Sequence, residues 1–200
     1  AELNGTDCIA DDLPTTKKSI CTSRSFEGMV HDFETLRTHV ANFAARGAEK
    51  LRKQLSVANV VGVFIDSNHF HPELAQYWNM TEATFHTPTS STMDIVQEAT
   101  ACLRSIYRND ICYKRAGVIL MGVVPNTAIQ PDLFTFNAER HEHITLLDHA
   151  VDKINRVEGT ETVILSSQQY PNGKKFADAI KRDYKSVCPT TRWTDIMKLK

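Results

Sequence analysis

Within residues 17–125, segments with the hydrophobic pattern of strands are interleaved with segments that have the 3.6-residue period of helices. This order of segments constrains the fold more than any other feature of the chain. Alternating or β-branched apolar segments, typical of strands, lie at residues 17–26, 58–65, 80–86 and 113–124. Spacing near 3.6 residues, typical of helices, follows Asp32 and again Pro88. The order β-α-β-β-α-β predicts an α+β domain in which two helices cover one face of a four-stranded antiparallel sheet. The opposite face would be open and is a candidate binding surface.

The helical segments have apolar positions that we expect to face the sheet. In the first helix, with Asp32 as N-cap, they are Phe33, Leu36, Val40, Phe43, Ala44, Leu51 and Leu55. In the second they are Met93, Val96, Leu103 and Ile106. After a connector at residues 126–136, the spacing of four further residues predicts a third helix: Ile144, Leu147, Val151 and Ile154. A short strand at 162–165 and a helix at 174–184 would complete a small, mainly helical α+β extension.

Composition and charge exclude several classes of protein. The chain is 42% hydrophobic and 24% charged, as in ordinary globular proteins, and no apolar run is long enough for a transmembrane helix. The start of the chain lacks the features of a signal peptide. Five cysteines without C-x-x-C spacing predict reduced, mostly buried thiols in a cytoplasmic protein. The net charge is −1, but residues 17–60 carry eight bases against four acids, which permits nucleic-acid binding through a local basic patch.

The first predicted strand has the chemistry of a phosphate-binding segment. Its sequence, KKSICTSRSF at residues 17–26, places Lys18, Ile20, Thr22, Arg24 and Phe26 on one face and the remaining residues on the other. Cations and hydroxyl groups hold phosphate oxygens by charge and hydrogen bonds without reading base sequence. The segment therefore predicts DNA contact that is independent of sequence.

This segment resembles the first strand of the little-finger domain in UmuC-type Y-family translesion DNA polymerases, where the pattern K-S-x-x-x-S-R-S-F recurs. The basic pair at the start of the last strand, the E-L-x-G segment at residues 2–5 and the T-T-R-W segment at 190–193 add to the resemblance. By this resemblance, the DNA-binding residues are Lys17, Lys18, Ser23, Arg24, Lys114 and Arg115.

A second motif, QPDLF at residues 130–134, is similar to the Q-x-[DS]-L-F pattern by which bacterial polymerases dock on the sliding clamp. Leu133 and Phe134 would fill a hydrophobic pocket of the clamp, Gln130 would supply amide hydrogen bonds, and Asp132 completes the motif. The alternative is that Leu133 and Phe134 pack the connector onto a domain.

The resemblance implies the C-terminal part of an error-prone polymerase of SOS DNA repair, which grips duplex phosphates and tethers the enzyme to the clamp. We divide the chain into a leader from the thumb (1–16), the little finger (17–125), the connector (126–136) and a UmuC-type extension (137–200). The catalytic palm, with its Mg²⁺ ions, would lie outside this chain, so we expect no cofactor and no polymerase activity here. The implied partners are DNA, the clamp and a UmuD-like protein, with no membrane, and the implied location is cytoplasmic.

Two other classes are weighed against this interpretation. An RNA-binding module of similar topology is the main alternative, although the strands lack an RNP1-like aromatic pattern. An unrelated enzyme using the eight histidines is disfavoured because no base–nucleophile spacing is recognisable. His141 and His143 lie two residues apart on a predicted helix and therefore cannot chelate one metal together.

Overall fold

The structure, a computed structural model, describes residues 16–129, 131 and 136–169. The strands are β1 (Ile20–Val30), β2 (Ser56–Ser67), β3 (Trp78–Thr89), β4 (Tyr113–Met121) and β5 (Val124–Pro125), and the helices are α1 (Phe33–Lys53), α2 (Thr92–Ile106) and α3 (Ala138–Val157). The predicted order β-α-β-β-α-β is confirmed. Within the described ranges, no helix combines the length and the apolar character needed to cross a membrane.

The four long strands form one antiparallel sheet in the order β1-β4-β2-β3. Alternate residues of the central strands, such as Val61 and Val63 of β2 and Val118 of β4, are buried beneath α1 and α2. The predicted α+β class, with both helices on one face of a four-stranded antiparallel sheet, is confirmed. The other side of the sheet, which we call the open face, carries no helix of the described chain.

Capping and helical periodicity explain where the two core helices lie. The Asp32 side chain accepts a hydrogen bond from the Thr35 amide at 2.7 Å, so α1 begins where the sequence predicts. Five of the seven predicted inward positions of α1 are fully buried. Leu55, which was predicted to face inward on this helix, instead follows the helix end with a φ of 53° and is exposed. Met93, predicted to face inward in α2, is also exposed, because it lies in the first turn of that helix.

The last predicted strand is interrupted. β4 ends at Met121 because Gly122 adopts a φ of +61°, a left-handed conformation that suits glycine. The chain then pairs again as β5, with Pro125 opposite Ser56 and Val124 opposite Val57 at the start of β2. The prediction of one continuous strand over 113–124 was therefore wrong at Gly122.

The third helix docks on α1 and α2 through charged groups. The Arg52 guanidinium of α1 is buried and bonds both oxygens of Asp152 at 2.7 Å, while Asp148 lies 3.5 Å away. Asp148 also accepts a hydrogen bond from the Thr92 amide at the start of α2. Burial raises the pKa of Asp148 above its usual range, although Arg52 opposes the shift. Ionic contacts and a hydrogen bond thus hold α3 against α1 and α2.

The strand predicted at residues 162–165 does not form. The Asn155 side chain donates to the Val163 carbonyl at 2.9 Å and accepts from the Val163 amide at 2.8 Å, so it takes the place of a partner strand. The helix predicted at 174–184 and the segments at 2–5 and 190–193 lie outside the described residues.

Candidate nucleic-acid interface

Three exposed lysines gather at the beginning of β1. Lys17 and Lys18 lie just before the strand, separated from it by Ser19, and the Lys17 carbonyl accepts a hydrogen bond from Gln54 at 3.3 Å. Lys50, in the last turn of α1, donates to the Thr22 hydroxyl at 3.5 Å. Lys17, Lys18 and Lys50 form what we call the cationic edge. Lys50 was not predicted from the sequence, although the basic residues at the end of the helix after β1 were a signal for it.

Ser23 and Arg24 point to opposite sides of the sheet. Ser23 is exposed on the open face, where it is paired with Gly117 of β4. Arg24 is half-buried on the side that the helices cover, in line with the buried Ile20 and Phe26. The predicted alternation along β1 is confirmed, but these two residues cannot act together on one face of the sheet.

The basic pair at the start of β4 has intramolecular partners. The Lys114 ammonium donates to the backbone carbonyls of Phe26 at 2.6 Å and Glu27 at 3.3 Å, where the β1–β4 register is irregular. The Arg115 guanidinium donates to the Asp66 carboxylate at 2.8 Å. Lys114 therefore stabilises the irregular end of β1, and the charge of Arg115 is partly compensated.

Tyr113, one residue earlier, anchors this end of β4. Its hydroxyl accepts from the Arg108 amide at 2.8 Å and donates to the Arg108 carbonyl at 3.1 Å. Burial raises the pKa of Tyr113 to about 12, so the hydroxyl remains a donor at neutral pH. The start of β4 is therefore positioned by a phenol that both donates to and accepts from the Arg108 backbone.

The open face is apolar at its centre. The Phe64 ring of β2 lies across Gly117 of β4, where an added Cβ would come within 2.4 Å of the ring. The Met80 and Met121 side chains lie over Gly62 in the same way. Two glycines in the central strands thus let large apolar side chains lie along the sheet, which makes the centre of the open face apolar.

The thiols and histidines offer little further chemistry. Of the described cysteines, Cys102 is buried, Cys112 is half-buried and Cys21 is exposed on the open face, and all three are free thiols. Burial raises the pKa of Cys102, which keeps that thiol protonated. In the part of the chain that the structure describes, no three His, Cys, Asp or Glu side chains are grouped as a metal site would require.

The clamp-like motif cannot be placed structurally. Gln130, Asp132, Leu133 and Phe134 lie outside the described residues, and Pro131 within the motif is exposed. The clamp-binding role of the motif stays a prediction.

Comparison with known proteins establishes the family. Residues 17–133 match the model of the impB/mucB/samB family C-terminal domain, which covers β1 through β5 and part of the connector. The chain therefore belongs to the impB/mucB/samB family. Residues 146–199 match a second model, a domain of unknown function named DUF4113.

Named relatives place the chain within this family. It is 32% identical over its whole length to the protein UmuC of Salmonella typhimurium and covers 46% of that protein. MucB of Escherichia coli is 33% identical over 98% of this chain, which covers 45% of that relative. The chain thus spans about half the length of the curated relatives it matches. The resemblance to UmuC-type proteins is confirmed.

Solved structures give a looser likeness. The little finger domain of PolIV, in a complex with the β-clamp processivity factor, is 14% identical with a TM-score of 0.41 and matches 58% of this chain and 98% of that one. A Dbh DNA polymerase in an insertion ternary complex is 12% identical with a TM-score of 0.41, over 54% of this chain and 29% of that one. The family assignment rests on the sequence match.

Proposed function

We propose that this chain is the DNA-binding and clamp-tethering region of an error-prone translesion DNA polymerase acting in SOS DNA repair. Family membership supports the polymerase class, and the cationic edge is the observation that carries the DNA-binding role. Nucleotidyl transfer would be performed by other parts of the polymerase, and this region would hold the enzyme on its template.

The cationic edge fits a phosphate backbone better than it fits base edges. Its three ammonium groups are exposed at the end of a long helix and at the start of an edge strand, with flexible stems that follow a phosphate chain. Lysine ammonium groups bind phosphates as point charges and carry no base preference. Contacts of this kind give affinity that falls with salt and is equal for all sequences.

The remaining predicted DNA-binding residues take different roles in this proposal. Ser23 adds a hydroxyl from the open face, and Arg24 approaches the duplex from the helix-covered side of β1. Lys114 and Arg115 contribute mainly by shaping the strand ends, since each already has an intramolecular acceptor.

A titration with duplex DNA at several salt concentrations tests the DNA-binding role. The double variant Lys17→Ala/Lys18→Ala should weaken binding to every sequence and reduce the slope of log K against log salt by about two units, one for each lost phosphate contact. Lys153→Ala, which removes an exposed lysine of α3, is the matched control and should leave the slope unchanged. An unchanged slope in the double variant would reject the cationic edge as the binding element.

We infer that the QPDLF motif tethers the chain to a bacterial sliding clamp. Adjacent Leu133 and Phe134 are the expected anchors, because a few buried apolar side chains dominate the affinity of such peptides. Leu133→Ala/Phe134→Ala should abolish clamp binding in a titration with the purified clamp. Leu146→Ala/Leu147→Ala, which truncates an exposed apolar pair on α3, is the control and should bind normally. Equal binding by both variants would assign Leu133 and Phe134 to packing.

A further inference from the structure

An exposed apolar stripe runs along one side of α3. Its residues follow each other at intervals of three, four and three and are Leu147, Ala150, Ile154 and Val157. All four are exposed, and Val157 is 71% exposed. We call them the apolar stripe. Asp148 and Asp152, which contact Arg52, point to a different side of α3, so docking on α1 leaves the stripe uncovered. Intervals of this kind are those at which one helix packs along another.

A later segment of the chain, outside the described residues, repeats the intervals of the stripe. The helix predicted at 174–184 begins a matching apolar series, which consists of Ala177, Ile180, Tyr184 and Val187. In an antiparallel arrangement along the stripe, the large Tyr184 would lie opposite the small Ala150. The small Ala177 would lie opposite Val157, and Ile180 opposite Ile154. Large and small side chains would therefore alternate across the contact, as in a well-packed helix pair.

Charges beside the two apolar series also match. The antiparallel arrangement brings Lys153 beside Asp183 and Glu158 beside Lys174, so both flanking pairs have opposite signs. A second copy of α3 on the stripe would instead bring two Lys153 side chains together. The charge pattern therefore favours the chain's own C-terminal segment over a second copy as the occupant of the stripe.

The intervening chain is long enough for this contact. The Gln168 carbonyl accepts a hydrogen bond from Asn42 of α1 at 3.0 Å, and Arg52 of α1 contacts α3. Positions 42 and 52 of a helix are about 15 Å apart. Residues 170–176 can extend across roughly 23 Å, which is more than this distance. Both apolar series also lie within residues 146–199, which match one domain model.

We propose that residues 174–187 pack as an antiparallel helix on the apolar stripe of α3, so that the extension forms a helical hairpin. The ionic contacts of Arg52 hold one side of α3, and the C-terminal segment covers another. This inference does not depend on the proposed DNA and clamp binding, because it uses none of the residues assigned to them.

Hydrogen exchange of the full 200-residue chain, measured by mass spectrometry of peptides from α3, tests the contact. Ile180→Asp places a carboxylate opposite Ile154 and should speed the exchange of the amides at 147–157 about tenfold. Ala179→Asp is the matched control, because it adds the same charge at a position that would face away from the stripe, and it should exchange like the wild type. Equal exchange rates in the two variants would overturn the inference.

A charge exchange tests the register of the contact without changing an apolar side chain. Lys153→Glu should speed the exchange of the same amides about threefold, and Lys153→Glu/Asp183→Lys should restore it, because the pair is remade with opposite signs. No recovery in the double variant would overturn the antiparallel register. Analytical ultracentrifugation separates the other occupant: a dimer whose α3 protection rises with protein concentration would assign the stripe to a second copy and overturn the inference.

Discussion

Single residues of the open face show how a small side chain determines the position of a large one. Gly117 gives room to the Phe64 ring, and Ser23 on the next strand bounds the same space, since an added Cβ would come within 2.5 Å of the Ser23 Cβ. Both neighbours are fixed by the sheet register, so neither can move away cheaply.

Gly117→Ala should therefore lower the free energy of unfolding by about 1–3 kcal/mol, the usual cost of overpacking. Urea denaturation measures the change. Gly28→Ala is the matched control, because nothing lies within 4 Å of its added Cβ, and it should be nearly neutral. Equal midpoints for the two variants would mean that Phe64 is not confined as described.

Asp148 should make stability depend on pH in the direction opposite to an ordinary salt-bridged carboxylate. Because burial raises its pKa, the folded chain binds the Asp148 proton more tightly than the unfolded chain does. Its contribution to stability is therefore present at low pH and lost as the pH rises through the raised pKa. Relative to Asp148→Asn, the wild type should lose stability from about pH 4 upward. Urea midpoints of both proteins across this range measure it, and a relative gain by the wild type would contradict it.

At the scale of elements, the capping residue Asp32 sets the start of α1. Substitution of Asp32 tests this role. Asp32→Ala should cost about 1 kcal/mol, because the Thr35 amide loses its acceptor. Asp32→Asn keeps a capping oxygen and should cost much less. Thermal unfolding of both variants gives the comparison, and equal losses would show that the side-chain charge matters rather than the hydrogen bond.

Elements with local signals were predictable from the sequence, and those that depend on distant partners were not. A β-branched apolar run identified β2, and a capping residue followed by helical apolar spacing identified α1, because burial leaves such patterns in the chain. The break at Gly122 depends on one backbone angle, and the absence of a strand at 162–165 depends on the Asn155 side chain. Of the predicted DNA-binding residues, Lys17 and Lys18 are exposed, and their role stays a prediction. The partners of Lys114 and Arg115 are tertiary contacts without a sequence pattern.

At the scale of the whole molecule, α3 and Gln168 pack on the helical side of the sheet, and no described helix covers the open face. Besides Arg52, the amide of Asn42 in α1 exchanges hydrogen bonds with Gln168, at 3.0 Å to the backbone and 3.2 Å from its side chain. Arg140 of α3 also pairs with Asp94 of α2 at 2.7 Å. A network of polar contacts stabilises the fold only while each group keeps its hydrogen-bond or ionic partner.

Arg52→Met should destabilise the chain by about 3–5 kcal/mol, because the buried Asp148 and the half-buried Asp152 would both lose their cation. Chemical denaturation measures the loss, and limited proteolysis should show earlier cleavage around α3. Arg37→Met, which removes an i,i+3 surface pair with Glu34, is the control and should cost less than about 1 kcal/mol. Similar losses in both variants would mean that the buried contacts do not hold the extension.

The cationic edge has a consequence for how this family can diverge. Lys17, Lys18 and Lys50 are exposed, and none of them belongs to the hydrophobic core. Replacing them alters no packed side chain and removes no pairing between strands. Any DNA affinity that these lysines provide can therefore increase or decrease stepwise during evolution while the fold stays the same.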